Sequence, residues 1–252
     1  MSKNMDGYLL GKFNDVERHH WWWEGRRELT KWLLGKKKYH RILDVGCGTG
    51  ETLSYLRTIY PKSEIYGVDT SQKAVNFSKG RGHKMVFRAN AIKLPFKDNF
   101  FDAILFLDVL EHVKNDQRAI REAGRVLRKN RRIIITSPGL SFIWSPHDEM
   151  QGHQRRYTRR EIRRLTVEAG MKVNFISYFN FFLSPIIVTV RLLSRIKRFR
   201  YLTNYDRGIN FEIANKEFIN SLLKKIFVTE IKLLRYLNYP FGVSIVAVLK
   251  KP

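Results

Sequence analysis

The residues whose types and spacing can do chemistry fall into two groups. The first is Asp44-Val45-Gly46-Cys47-Gly48-Thr49-Gly50, an acid followed by three glycines at alternate positions, together with Asp69, an acid that closes a second apolar run. Glycine tolerates positive φ and lets the backbone approach a ligand with no Cβ in the way. A turn of this kind leading into a helix favours negatively charged groups, and a carboxylate at the next strand's tip can accept both hydroxyls of a ribose. The second group is Asp108 and His112 at the end of an apolar run and His153, Arg156 and Tyr157 farther on; the last three can donate to an anionic or hydroxylated molecule and a histidine can take a proton, while Glu111 reads more as a structural cap. Cys47 is the single cysteine, which excludes a disulfide within the chain, and its place in the turn reads as a small turn residue rather than a nucleophile.

Elements are needed to position both groups. Ile42–Val45 reads as a short buried strand, Glu51–Tyr60 as a helix ending before Pro61, and Ile65–Asp69 as the second strand. Ser71 or Thr70 caps a helix over Gln72–Lys79; a cap is also the plain alternative for Asp69. Met85–Ala89 and Ala103–Leu107 are the next strands, Asp116–Leu127 a helix, and Arg132–Ser137 the fifth strand. Thr158 with Glu161 forms a capping box that opens a helix over Arg159–Ala169, followed by strands Met171–Phe179 and Val243–Leu249. Strands alternating with helices predict an α/β fold, Rossmann-like, with ligands at the carboxyl ends of the strands. The expected organisation is an N-terminal helical lid over 1–40, a core over 41–179 and 239–252, and a mainly helical cap over 180–238 between the last two strands.

The glycine spacing separates two kinds of cradle. The dinucleotide fingerprint needs a third glycine where Glu51 stands. Leu43-Asp44-Val45-Gly46-Cys47-Gly48-Thr49-Gly50 instead closely resembles motif I of the class I S-adenosylmethionine-dependent methyltransferases of the small-molecule and lipid type. Asp69 matches that family's motif II, Leu94-Pro95-Phe96 with Phe100-Phe101-Asp102 its connection into strand four, and Asp108-Val109-Leu110-Glu111-His112-Val113 its motif IV. The resemblance implies a seven-stranded sheet with helices on both faces and an antiparallel last strand. It implies S-adenosylmethionine as cofactor and S-adenosylhomocysteine as product, held by Asp44, Gly46, Cys47, Gly48, Gly50, Asp69, Thr70, Asn90, Ala91 and Asp108. Two departures stand out. Asn90 replaces the usual aspartate that meets the adenine amino group, and Arg128-Lys129-Asn130-Arg131-Arg132 replaces a Lys-Pro-Gly-Gly turn.

The resemblance extends to the approaches of the site. Glu17 through Trp22 resembles the N-terminal stretch that folds over the cofactor in many small methyltransferases, where Arg26 or Arg27 could meet the cofactor carboxylate. His153 through Thr158 resembles a segment overlying the substrate site, so His153, Arg156 and Tyr157 are candidate donors to the acceptor. His112 or His153 is the candidate base if the acceptor must lose a proton. Loop anchoring is the competing role for all of them.

With 47 Lys and Arg against 23 Asp and Glu, the formal charge is +24, concentrated after residue 150. Such a field draws polyanions or an anionic membrane surface. From Pro185 the pattern is a helix with Arg191, Arg195 and Arg198 on one face, suited to a membrane interface or to lining a pocket. Residues 173–190 carry no charge, but Pro185, two asparagines, two serines and the sixth strand argue against a span. His147, Asp148, Glu149 and His153 lack a metal-ligand spacing, so no metal is expected. The expected acceptor is small or lipid-linked and anionic, with a peripheral membrane contact through 180–200 and a cytoplasmic location at the membrane surface, since no signal-peptide pattern opens the chain. The alternatives are an RNA methyltransferase, against which no RNA-binding module is recognisable, and a non-catalytic nucleotide-binding protein.

Overall fold

The structure is a computed structural model, and it describes residues 11, 14, 16–196 and 216–252. Its centre is one seven-stranded sheet in the order β3-β2-β1-β4-β5-β7-β6. The strands are β1 Arg41–Val45, β2 Glu64–Asp69, β3 Val86–Arg88, β4 Phe101–Leu107, β5 Leu127–Pro138, β6 Lys172–Phe179 and β7 Ser244–Lys250. The first five run parallel, and β7 inserts antiparallel between β5 and β6. Every residue of β4 is buried, as a strand flanked by parallel neighbours and covered by helices requires. Its inner position explains why Ala103–Leu107 reads as a continuous apolar run rather than an alternation.

The helices are α1 Trp21–Leu34, α2 Glu51–Ile59, α3 Gln72–Gly80, α4 Asp116–Val126, the short α5 Pro146–Gln151, α6 Arg159–Glu168, α7 Ser184–Leu193 and α8 Glu217–Leu233. Ser71 caps α3 by accepting from the Ala74 N–H, and Thr158 and Glu161 form the reciprocal box that opens α6. The fifth strand is longer than expected. It starts directly after α4, and its pairing with β4 shifts register between Phe101 and Ala103. Asn130 at φ 61° supplies the left-handed residue that this bulge needs. The positive residues there are partly neutralised, because Arg128 and Arg131 lie 3.0 and 3.3 Å from the buried Asp102 carboxylate.

The N-terminal helix starts at Trp21, so the run Trp21-Trp22-Trp23 lies in its first turn. His20 caps it, its ring accepting from the Trp22 N–H at 3.2 Å. Trp22 stacks on Phe227 of α8 at 5.5 Å and on Phe179 at the end of β6 at 5.9 Å. This contact is possible because Gly25 has no side chain: a Cβ there would stand 2.1 Å from the Phe227 ring. Helices α1 and α8, nearly two hundred residues apart, thereby share one layer. Among the described residues no helix is long and apolar enough to cross a membrane.

Candidate active site

Strand β1 delivers Asp44 to the sheet's carboxyl edge, between Gly67 of β2 and Leu105 of β4. The turn that follows is built from positive φ values, 74° at Gly46, 54° at Gly48 and 90° at Gly50. At Gly46 a Cβ would also strike Val109 at 2.5 Å, whereas one at Gly48 would meet nothing within 4 Å. Gly48 therefore borders open space, and the turn's concave side is free for a ligand.

The turn's N–H groups are committed inward. Gly46 and Cys47 donate to the Val68 carbonyl at 2.7 and 3.1 Å, and Gly50 donates to the Cys47 carbonyl. Gly48 donates to Asp69 Oδ2 at 3.0 Å, while Asp69 Oδ1 accepts from the Ser71 N–H at 2.8 Å. Asp69 is thus both a helix-cap partner and the tie that holds the turn. A loop with these amides occupied and two carboxylates beside it does not suit a pyrophosphate. It suits a cation and sugar hydroxyls. Burial pushes the Asp44 carboxyl up to about 7, with Arg26 opposing the rise and Asp69 adding to it; burial also raises Asp69, against the Ser71, Gly48 and Thr70 amides. The buried Asp44 is an acid that a ligand cation would ionise.

Other cofactor positions are placed as follows. Cys47 packs its Sγ towards Gly67 and donates its N–H to Val68, so any contact with a ligand would come from its remaining backbone. Thr70 is exposed after Asp69, and its carbonyl accepts from Arg88 at 3.0 Å. The Asn90 side-chain oxygen accepts from the Ile92 N–H at 3.1 Å, a turn bond that orients the exposed amide, and Ala91 beside it is buried. Asp108 has φ 59°, in the sparsely populated left-handed region. Its Oδ1 accepts from Thr136 and its Oδ2 pairs with Arg26 at 2.8 Å.

The two arginines differ in their partners. Arg26 Nη1 reaches Asp108 and the Leu107 carbonyl at the end of β4, whereas Arg27 is spent on the carbonyls of Glu17 and Arg18. Upstream, Glu17 accepts from the Thr49 hydroxyl and pairs with Arg81 at 2.8 Å. The segment before α1 is thus fastened to the glycine turn, and burial raises the Glu17 carboxyl despite these partners.

The second group assembles beside β4 and β5. Leu110–His112 form a 3-10 turn that presents Glu111 inward and His112 outward. Glu111 is fully buried; Ser137 Oγ donates to its Oε2 at 2.9 Å, and burial, then Asp108, raises its carboxyl well above the usual range. His112 faces His153 with ring centroids 4.9 Å apart. Its pKa is lowered, first by loss of hydration and then by the His153 ring.

Asp148 organises the 140–160 loop. It is fully buried and pairs with Arg156 at 2.8 Å and Arg191 of α7 at 3.2 Å. Ser145 donates to its Oδ2 through the backbone at 3.0 Å, and His153 Nδ1 lies 2.9 Å from its Oδ1. Burial alone would raise this carboxyl, but the His153 hydrogen bond and then the two arginines hold it well below the usual range. Arg156 also donates to the Gly139 carbonyl, and the Tyr157 hydroxyl donates to Asp116 Oδ2 at 2.7 Å and the Leu110 carbonyl at 3.2 Å. Arg156 and Tyr157 were candidate donors to an acceptor; buried and bonded in this way, they hold the loop instead. Of the four, His112 is exposed, and His153 meets it ring to ring.

Helix α7 is inverted relative to expectation. Arg191 points inward to Asp148, and Arg195, beyond the helix end, donates to the carbonyls of Phe142 and Trp144. The outward side carries Phe182, Ile186, Val190, Leu192 and Ile196, each exposed, near exposed Phe142. The arginines therefore do not form the free basic flank that spacing predicts; Lys197, Arg198 and Arg200 lie outside the described residues.

Comparison with known proteins places this geometry. The profile of the family described as "Methyltransferase domain" matches residues 43–135. The chain is 32% identical over 155 residues to 27-O-demethylrifamycin SV methyltransferase of Amycolatopsis mediterranei, covering 54% of this chain and 57% of that protein. It is 30% identical over 171 residues to the uncharacterised protein MJ1123 of Methanocaldococcus jannaschii, covering 62% of this chain and 78% of that one. It spans about half the length of the first curated relatives it matches. Among solved structures, phosphoethanolamine N-methyltransferase 2 of Haemonchus contortus, in complex with phosphomonomethylethanolamine and S-adenosylhomocysteine, shares the fold. Its TM-score is 0.61 at 16% identity, covering 91% of this chain and 53% of that one.

Proposed function

This chain belongs to the class I S-adenosylmethionine-dependent methyltransferases, and from that premise we propose that it methylates a small or lipid-linked, anionic acceptor at a membrane surface. The observation that carries the cofactor half is the pairing of Asp44 and Asp69 around a glycine turn whose amides are already bonded. S-adenosylmethionine, when bound, supplies a methyl group activated by its sulfonium. Asp44 faces the cofactor's ammonium, and Asp69 accepts from the ribose hydroxyls alongside its bonds to Gly48 and Ser71. Gly46, Gly48 and Gly50 let the cofactor lie against the backbone, Asn90 and Ala91 border the adenine, and Arg26 with Asp108 closes the methionine end. Since the reaction is chiefly one of alignment, Arg156 and Tyr157 act as positioning residues that fix the loop over the acceptor. His112 or His153 takes the proton where the acceptor must lose one.

The outward apolar side of α7 supports the membrane part of the proposal. Five exposed apolar side chains beside an aromatic loop suit an interfacial contact in a strongly basic protein. Against the RNA alternative, no RNA-binding module is recognisable, and one basic cluster lies away from the cofactor residues. Lys37 has its pKa lowered by Arg132 first, then by loss of hydration, Lys250 and Arg131. That cluster surrounds the start of β1 and the end of β7, at the opposite end of the parallel strands from Asp44 and Asp69. The test uses the protein, S-adenosylmethionine labelled in its methyl group, and cell extract divided into organic-soluble, nucleic-acid, protein and small-molecule fractions. Label in the organic phase is the expected result; label in RNA overturns the acceptor proposal, and no transfer with intact cofactor binding favours a non-catalytic protein.

A further inference from the structure

The structure brings His153 against two metal-ligating side chains, Glu111 and His112, that already stand side by side in the sequence. Glu111, His112 and His153 each offer a donor atom, and these atoms lie within 4.8 Å of one another. We propose that Glu111, His112 and His153 form a binding site for one first-row divalent cation at the mouth of the acceptor site.

An independent observation points to a ligand. Glu111 is fully buried, its Oε2 is taken by Ser137, and its Oε1 has no hydrogen-bond partner. Buried polar atoms are rarely left in that state, because the hydration lost on burial is then not repaid by any protein hydrogen bond. A cation at the trio would satisfy that oxygen.

The surrounding groups are arranged as a metal site's supports are. Asp148 is held ionised by Arg156 and Arg191 and can only accept. His153 Nδ1 must therefore carry the proton of their 2.9 Å bond, which leaves Nε2 with a lone pair to offer. Histidines that ligate metals characteristically have their second nitrogen fixed in this way, by a carboxylate or a backbone carbonyl. Two imidazoles and one carboxylate suit zinc, iron, cobalt or nickel rather than magnesium or calcium. With bonds of about 2.1 Å, tetrahedral donors stand ~3.4 Å apart, so the trio must draw in from its present span to close on a cation. Three protein donors leave coordination positions open to water or to an oxygen of the acceptor, and with the cation bound His112 and His153 serve as ligands rather than as the base. Cation binding depends on these side chains alone; only its role toward an acceptor rests on the methyl-transfer proposal.

The experiment measures Co(II) binding to chelator-treated protein by equilibrium dialysis and visible absorption. Wild type should take up one equivalent with ligand-field bands. His112→Ala, at an exposed position, and the near-isosteric Glu111→Gln should each weaken binding at least about tenfold and alter the bands, with thermal melts confirming that both variants fold. Absence of saturable binding by wild type overturns the proposal, as does unchanged affinity and spectrum in both variants. Calorimetry with S-adenosylmethionine on the same wild-type protein separates the two proposals: Co(II) binding without cofactor binding supports the cation site and refutes the methyl-transfer reading.

Discussion

The cofactor side and the acceptor side of this molecule are held together by different physics. Around Asp44 and Asp69 the holding contacts are backbone amides of the neighbouring turns, such as Gly48 to Asp69 and Ser71 to Asp69. Around His112 and His153 they are buried ions: Asp148 draws Arg156 from its own loop and Arg191 from a helix more than forty residues away. The first arrangement ties two turns that the pairing of β1 with β2 brings together. The second ties one loop to a single distant helix, and it leaves buried charge uncompensated if Asp148 is removed.

The sharpest way to break the comparison is Asp148→Asn. Arg156 and Arg191 would keep buried guanidinium groups without a counter-charge, and breaking a buried pair costs about 3–5 kcal/mol. Chemical denaturation should register that loss, while the cofactor-side substitution Asp69→Ala should leave stability much closer to wild type. Asp69→Ala should instead weaken S-adenosylmethionine binding by roughly 10- to 100-fold, matching the ~1.5–3 kcal/mol of hydrogen bonds to a charged group. Unchanged affinity in calorimetry would remove Asp69 from the site.

A contact that joins the two sides can be tested at Gly25. The alanine Cβ would collide with Phe227, an overpacking cost of about 1–3 kcal/mol, partly offset by the ~1 kcal/mol better helix propensity of alanine. A net fall in melting temperature is expected, and a rise would show that α1 and α8 separate without penalty.

The pH dependence of cofactor binding probes Asp44. Its folded pKa is raised from 3.8 to about 7, so between those values the folded chain holds a proton that the unfolded chain has lost. Stability from this group is therefore greatest at low pH and declines as pH rises through that window. Cofactor binding has the opposite sign, because the ammonium needs the ionised acid. Affinity should fall about tenfold between pH 8 and pH 6, and Asp44→Asn should bind weakly with a flat profile; a flat wild-type profile would contradict the assignment. The smallest stability effect is expected at the surface. Ile186→Asp should alter stability by no more than ~0.5 kcal/mol yet abolish co-sedimentation with anionic vesicles, and retained vesicle binding would sink the α7 contact.

Much of the cofactor side could be read from the chain because its determinants are close in sequence. Positive φ at three alternating positions requires the glycines that stand there, and the acid-ended strands announce Asp44 and Asp69 by their apolar runs. Spacing cannot tell which way the Cys47 side chain points; the packing against Gly67 decides that. The acceptor side was less legible. Arg156 and Tyr157 look like exposed donors in a polar loop, yet Asp148 and Asp116 consume their hydrogens inside. The helical spacing of Arg191 and Arg195 predicts a shared face, and it cannot say that the face turns inward.

What the amino-acid sequence determined by itself was the succession of strands and helices, the glycine turn, the α3 and α6 caps and the acids at strand tips. Each is fixed by backbone sterics or by hydrogen bonds spanning a few residues. Only the tertiary structure decided that Trp22 and Phe227 meet across Gly25, that α7 shows its apolar side to the outside, and that Glu111, His112 and His153 converge. Those outcomes depend on burial and on charge pairing between distant segments, whose energies are undefined until the chain has closed on itself.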